Sequence, residues 1–253
     1  MTENEYLRKI LWRESVDTGL FSPVRAVQNH LDPSIKKWAG NYLVSINPSG
    51  SFAKGTAVSS GTDIDFFVSL SSTTTEKLKE IYDSLYLRLL RDGFSPTKQN
   101  VSIKVKIGTY DVDVVPAKRQ DQFSEDHSLY RHRANTWIKT NVTTHISTVR
   151  NSARLDEIKI IKIWRNQKQL DFPSFYLELL TIEACRRLRI GDLANNVMRT
   201  LAYIRDNVET AIFTDPANTT NRVSDDLSLA GKRTLRAAVD GAISSWAWRK
   251  IIV

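Results

Sequence analysis

The segment 63–70, DIDFFVSL, places Asp63 and Asp65 one residue apart in a run that otherwise reads as a buried strand. Successive side chains of a strand point to opposite faces, so both acids share one face while Ile64 and Phe66 take the other. Unpaired negative charge in such a setting is costly. A second run, YDVDVVP at 110–116, repeats the arrangement, with Asp111 and Asp113 on one face and Val112 and Val114 on the other. The strictly alternating VSIKVKI precedes it across Gly108-Thr109, which is a hairpin signal, and Pro116 is expected to stop the second strand. A sheet with one apolar face and one acidic face is therefore required.

Repulsion between paired carboxylates raises one of their pKa values unless a cation sits between them, and a hard divalent ion is the natural partner of carboxylate oxygens. Three carboxylates on adjacent strands form the arrangement that holds two Mg²⁺ ions for in-line displacement at phosphorus. A lone D-x-D is more often solvated strand-end polarity. The preceding loop shifts that reading, because Gly50-Ser51 and Gly55-Thr56 let backbone N–H groups and hydroxyls approach phosphate oxygens. The loop contains neither a Walker A sequence nor a dinucleotide-binding fingerprint.

Elsewhere the first forty residues read as helical, with a further turn beginning after Asp32-Pro33, and YLVSI reads as a short strand. Leu78, Ile81, Tyr82, Leu85 and Leu89 recur at helical spacing, and Gly93 is placed to end that helix. From about residue 151 the pattern becomes helical throughout. These features predict an α+β chain: residues 1–150 form an N-terminal helix and a palm with a mixed sheet flanked by helices, and residues 151–253 form a helical lobe closely packed on it.

With 253 residues, 41% hydrophobic, the chain is long enough to bury a proper core without staples. Cys185 is the single cysteine and cannot form an internal disulfide, which fits a reducing compartment. MTENEYLRKILWRES mixes charge with apolar residues, unlike a secretory signal, and no apolar stretch approaches the length of a membrane span. A soluble cytoplasmic protein is expected. A net charge of +8 suggests polyanionic partners such as nucleotides or nucleic acid.

GSFAKGTAVSSGTDIDFFV resembles the signature of the polymerase-β-like nucleotidyltransferases, and YDVDVVPAK resembles the strand carrying their third acid. Within that superfamily the likeness is greatest to the bacterial cyclic-GMP-AMP-synthase-like enzymes, the CD-NTases, with oligoadenylate synthetases and CCA-adding enzymes as relatives. The resemblance implies that Asp63, Asp65 and Asp113 are the catalytic acids and hold two Mg²⁺ (or Mn²⁺) ions. It also implies that Gly50 and Ser51 hold the triphosphate. Asp111 lies on the same face by spacing, but the family pattern does not require an acid there.

In the helical half, IIKIWRNQ resembles the family helix whose lysine reaches the nucleotide phosphates, here Lys162; on residue type alone it either snorkels to the surface or meets an anion. FPSFYLELLT resembles the block in which a serine touches the triphosphate and an aromatic stacks on the base, here Ser174 and Tyr176. For Tyr176, core packing is an equal alternative. In DPANTTNRVSDDLS, Asp215, Asn218 and Asn221 read as turn formers, and Asp225 or Asp226 as the cap of the next helix. His127 and His132 lack a zinc pattern and read as surface residues. Trp246 and Trp248 are expected to pack the last helix.

The implied activity is template-independent transfer from NTPs, ATP among them, giving a cyclic di- or oligonucleotide messenger in antiphage defence. A separate effector protein would respond to the product, and RNA or a phage component would serve as activator. Transfer to an RNA 3′ end and a catalytically silent sensor of the same fold are the alternatives.

Overall fold

The computed structural model describes residues 1–17, 19, 22–61, 63–245 and 247–253. In chain order its elements are α1 (Glu3–Arg13), α2 (Pro23–Ala39), β1 (Leu43–Pro48), α3 (Gly50–Lys54), β2 (Asp63–Leu70), α4 (Leu78–Arg91), β3 (Thr97–Lys98), β4 (Ile103–Ile107) and β5 (Tyr110–Arg119). There follow β6 (His127–Arg131), β7 (Thr136–Thr140), α5 (Val142–Arg150), α6 (Leu155–Gln167), α7 (Ser174–Ala184), α8 (Leu193–Asn207), β8 (Thr214–Asp215), β9 (Asn218–Arg222), α9 (Leu229–Ser244) and α10 (Trp248–Ile251). The α+β class is as expected.

Two compact units emerge. The sheet unit comprises Asp17–Ala53 and Thr62–Ile146. Its strand order is β1-β2-β5-β4-β3, with β6 and β7 extending from the far end of β5. Among the described residues of this sheet, only the β2–β5 pair is parallel. On one face, Val27, Leu31 and Ile35 of α2 and Ile81, Leu85 and Leu89 of α4 bury against Ile64, Phe66 and Val68 of β2 and Val112 and Val114 of β5. Each such side chain taken out of water contributes about 1.5–3 kcal/mol, so this face alone ties both helices to the sheet.

Two proline signals behave differently from expectation. α2 runs unbroken through Pro33, because Val27 and Leu31 before it and Ile35 after it keep one apolar stripe whose burial outweighs a lost backbone bond. β5 likewise continues past Pro116 to Arg119. On one side of β5, pairing with β4 reaches only to Val114 and pairing with β6 starts only at Lys118, so Pro116 falls in a gap where that edge needs no donor.

The β6–β7 hairpin was not foreseen, and it buries His127. Its Nδ1 lies 2.8 Å from the Glu125 carbonyl and must donate to it, which leaves Nε2 to accept from the Ser69 hydroxyl at 2.8 Å. The surface reading of His127 is thus corrected; His132 is exposed and stacks on Tyr82.

The helical unit comprises Met1–Val16, Lys54–Gly61 and Ser147–Val253. This division differs from a single cut after residue 150. The reason is α1, whose Leu7 and Ile10 are buried with Ile158, Ile161 and Trp164 of α6 and Val197 and Leu201 of α8. The Tyr6 hydroxyl also donates to the Ile252 carbonyl at 2.9 Å. α9 is capped by Ser228, whose Oγ accepts from the Gly231 N–H at 3.1 Å, while Asp225 and Asp226 lie in the preceding 3₁₀ turn. Trp248 is buried; Trp246 lies outside the described residues. Among the described residues no helix is long and apolar enough to cross a membrane.

Candidate active site

The acidic face lies in the sheet unit. β2 and β5 pair with Asp63 beside Asp111 and Asp65 beside Asp113. Across β5, Lys104 of β4 stands opposite Asp113 and Lys106 opposite Asp111. Directly paired residues share a face, so four carboxylates and two ammonium groups occupy one side of three strands. The intervening Ile64, Val112 and Val105 are buried on the other side.

Asp65 is held close to the loop before it. Its carbonyl accepts from the Ser49 N–H at 2.8 Å, and a Cβ added at Gly50 would overlap its carboxylate. Gly50 also has φ +54°, a left-handed conformation that glycine tolerates best. Here the sequence dictates glycine twice over. The loop is not wholly irregular, because Gly50–Lys54 form the short helix α3 that contains Ser51.

Asp63 and Asp111 are exposed, whereas Asp113 is half-buried in the acidic face. Burial pushes its pKa up, the Asp63 and Asp111 charges add to this, and Lys104 together with a 3.1 Å hydrogen bond from Ser102 opposes it. Lys104 Nζ lies 3.7 Å from Asp63 Oδ1 and 3.9 Å from Asp111 Oδ2.

The structure therefore brings Asp63, Asp65 and Asp113 onto one face of neighbouring strands. Among the described residues, no group of three His, Cys, Asp or Glu side chains is placed to hold a metal ion by itself. Mg²⁺ is characteristically bound by one or two carboxylates plus substrate phosphates and water, not by an all-protein cage, so an open set of hard oxygen donors suits it. The raised Asp113 pKa and the Asp65–Gly50 approach fit such an ion.

A second charged cluster lies in the helical unit. Glu178 of α7 is 0% exposed and Lys162 of α6 is 2% exposed. Glu178 Oε1 accepts from Lys162 Nζ at 2.6 Å and from the Thr56 hydroxyl at 2.6 Å, while Oε2 accepts from Lys54 Nζ at 2.8 Å. Lys162 also donates to Thr56 Oγ1 at 2.9 Å. Burial favours the neutral form of Glu178, but Lys162 and Lys54 outweigh it and hold the carboxyl below its usual range. Lys54 further lies over the Phe175 ring, 4.4 Å from its centroid.

The anion that Lys162 meets is thus internal, and its ammonium is not presented to solvent. Ser174 is exposed at the start of α7, where its Oγ accepts from Arg165 at 2.9 Å. Tyr176 is core, which corrects its assignment as a base platform: it packs edge-on against Phe172, its hydroxyl donates to the Val208 carbonyl at 3.3 Å, and burial pushes its pKa up to about 12. Glu178 and Lys54 were not singled out from the sequence, and Thr56, expected in a loop open to phosphate, is instead fully buried against Glu178. The available signal was one acid within the apolar FYLELL of α7.

No protein-family profile matches the chain. A curated relative, the cyclic AMP-AMP-AMP synthase of Escherichia coli (strain MS 115-1), is 25% identical over 173 residues, covering 63% of this chain and 54% of its own length. The chain thus spans about half the length of that relative. Among solved structures, E. coli MS115-1 CdnC with ATP has a TM-score of 0.78 at 20% identity, covering 96% of this chain and 91% of that one. Elizabethkingia meningoseptica CdnE, a cyclic dinucleotide synthase with GTP and Apcpp, has 0.74 at 16%, covering 98% and 100%. The poly(U) polymerase Cid1 shares the architecture at 0.69 and 13%, covering 97% and 95%. The fold is the one that these solved structures share. The chain is similar to bacterial CD-NTases at 14–25% identity.

Proposed function

We propose that the chain transfers nucleotidyl groups from NTPs, ATP among them, without a template, and closes the product into a cyclic di- or oligonucleotide. The observation that carries this reading is the β2–β5 register, which aligns Asp63 and Asp65 with Asp111 and Asp113 beside Gly50. Asp63, Asp65 and Asp113 would hold two Mg²⁺ or Mn²⁺ ions, which when bound neutralise charge on the triphosphate and lower the pKa of the attacking hydroxyl. A ribose hydroxyl oxygen forms a bond to the α-phosphorus, and the bond from that phosphorus to the bridging oxygen breaks, releasing pyrophosphate. Asp113, whose burial favours protonation, is the carboxylate suited to receive the hydroxyl proton. Gly50 and Ser51 lie beside this face and are suited to the phosphate oxygens.

In this reading the product acts on a separate effector in antiphage defence in the cytoplasm, with RNA or a phage component as activator. The experiment is incubation of the purified protein with each α-labelled NTP and Mg²⁺ or Mn²⁺, with and without RNA. Small, phosphatase-resistant products are expected. Label at an RNA 3′ end would instead select terminal transfer, a reading favoured by the architecture shared with Cid1. Absence of pyrophosphate release under every ion and activator would leave a silent sensor.

A further inference from the structure

Lys104 has no place in the transfer chemistry, yet it is the side chain that bridges the acidic face. Its ammonium lies 3.7 Å from Asp63 on β2 and 3.9 Å from Asp111 on β5. β4 supplies it from the position directly opposite Asp113. Lys106, two residues on, shares the face and stands opposite Asp111, but it is exposed and makes no ion pair among the described residues. The bridge is therefore specific to Lys104 and is not a general property of a basic strand. The Lys104 side chain is 29% exposed, against 58% for Asp63 and 50% for Asp111.

We propose that Lys104 is a positioning residue that serves as a built-in counter-cation: it screens the acids before metal binds, then yields Asp63 and rests on Asp111. This inference rests on the metal-dependent transferase reading. It gives Asp111 a defined task as the alternate partner of Lys104, and not as a metal ligand. An ammonium carries one charge and a divalent ion carries two, so displacement is favourable whenever the ion is available, while occupancy at low metal is suppressed. Lys104 would thereby set the metal concentration at which the acidic face becomes competent. It also keeps four neighbouring carboxylates from repelling one another in the metal-free chain.

The test is Mn²⁺ affinity at low ionic strength, measured by calorimetry and by electron paramagnetic resonance, with the melting temperature of the metal-free protein alongside. Lys104→Met should tighten Mn²⁺ binding by about three- to tenfold and lower the metal-free melting temperature, with Mn²⁺ restoring it. Lys104→Arg should stay near the wild type. Lys106→Met removes equal charge from the same face and should shift affinity by less than about twofold. Asp111→Asn should weaken Mn²⁺ binding in the wild-type background, and most of that effect should vanish when Lys104 is already Met.

Unchanged or weaker Mn²⁺ binding in Lys104→Met would overturn the proposal. So would an equal effect of Asp111→Asn in both backgrounds, which would mark Asp111 as a ligand. If wild-type protein binds Mn²⁺ and Asp65→Asn abolishes this, yet Lys104→Met has no effect, the Lys104 inference fails and the transferase reading stands. If the wild type binds no Mn²⁺, both fall.

Discussion

The two charged regions of the molecule use similar groups to opposite ends. In the helical unit, Glu178 is surrounded by Lys162, Lys54 and Thr56 at 2.6–2.8 Å, so every charge finds its partner inside the protein. On the sheet unit, Asp63, Asp65, Asp111 and Asp113 share a face with Lys104 at 3.7 Å or more from the nearest acid. The first cluster is internally complete and serves the fold. The second carries more negative charge than its neighbours neutralise, so it is the region that calls for a ligand.

Substitutions should separate these roles, beginning with the largest effect. Asp65→Asn should reduce nucleotidyl transfer roughly a thousandfold or more in a pyrophosphate-release assay, with the urea midpoint unchanged or raised, because an acid is removed from an electronegative face. Glu178→Ala should do the reverse of this pattern. It leaves two buried ammonium groups without their anion and should cost about 3–5 kcal/mol of stability in urea unfolding. A merely local loss of activity with full stability would show that Glu178 belongs to the chemistry.

Gly50→Ala tests the approach of the loop to Asp65. The added methyl overlaps the carboxylate and forces a strained φ, so turnover should fall about a hundredfold with a smaller change in melting temperature. A smaller effect concerns pH. Burial lowers the pKa of His127 below its unfolded value, so the unfolded chain binds the extra proton more readily. Stability from this residue is full above the unfolded pKa of about 6.5 and is lost as pH falls through that value toward the folded one. His127→Gln should flatten the decline in melting temperature between pH 7 and mildly acid conditions. Smallest of all, Tyr176→Phe should cost about 0.5–1.5 kcal/mol and leave the apparent affinity for NTP unchanged, as befits a core residue.

What the sequence disclosed followed from local periodicity. The alternation in β2, β4 and β5 put the acids on one face, and the helical spacing of α4, ended by Gly93, matched the structure. Gly50 was singled out for an approach to phosphate, while its tight approach to the Asp65 carboxylate was not foreseen. The misses share a cause in long-range packing. Pro33 is tolerated because its helix buries an apolar stripe, and Pro116 because the facing edge needs no donor there, neither of which is visible locally. HSLYR in β6 carries too many polar residues to read as a strand until β7 pairs with it. α1 joins the helical unit through Leu7 and Ile10, whose partners begin at Val149 apart from Val58. Lys162 was expected to reach a nucleotide phosphate, but the anion it meets is Glu178, sixteen residues away, a separation no local pattern discloses.

The central claim is that the face formed by β2 and β5 is a divalent-metal site for nucleotidyl transfer. The most direct measurement is a crystal structure grown with Mn²⁺ and a non-hydrolysable NTP, read by anomalous scattering. The account predicts manganese bound directly to carboxylate oxygens of Asp63 and Asp65, at about 2.0–2.3 Å, with the triphosphate beside Gly50 and Ser51. Nucleotide and manganese bound elsewhere, with these carboxylates uninvolved, would contradict it.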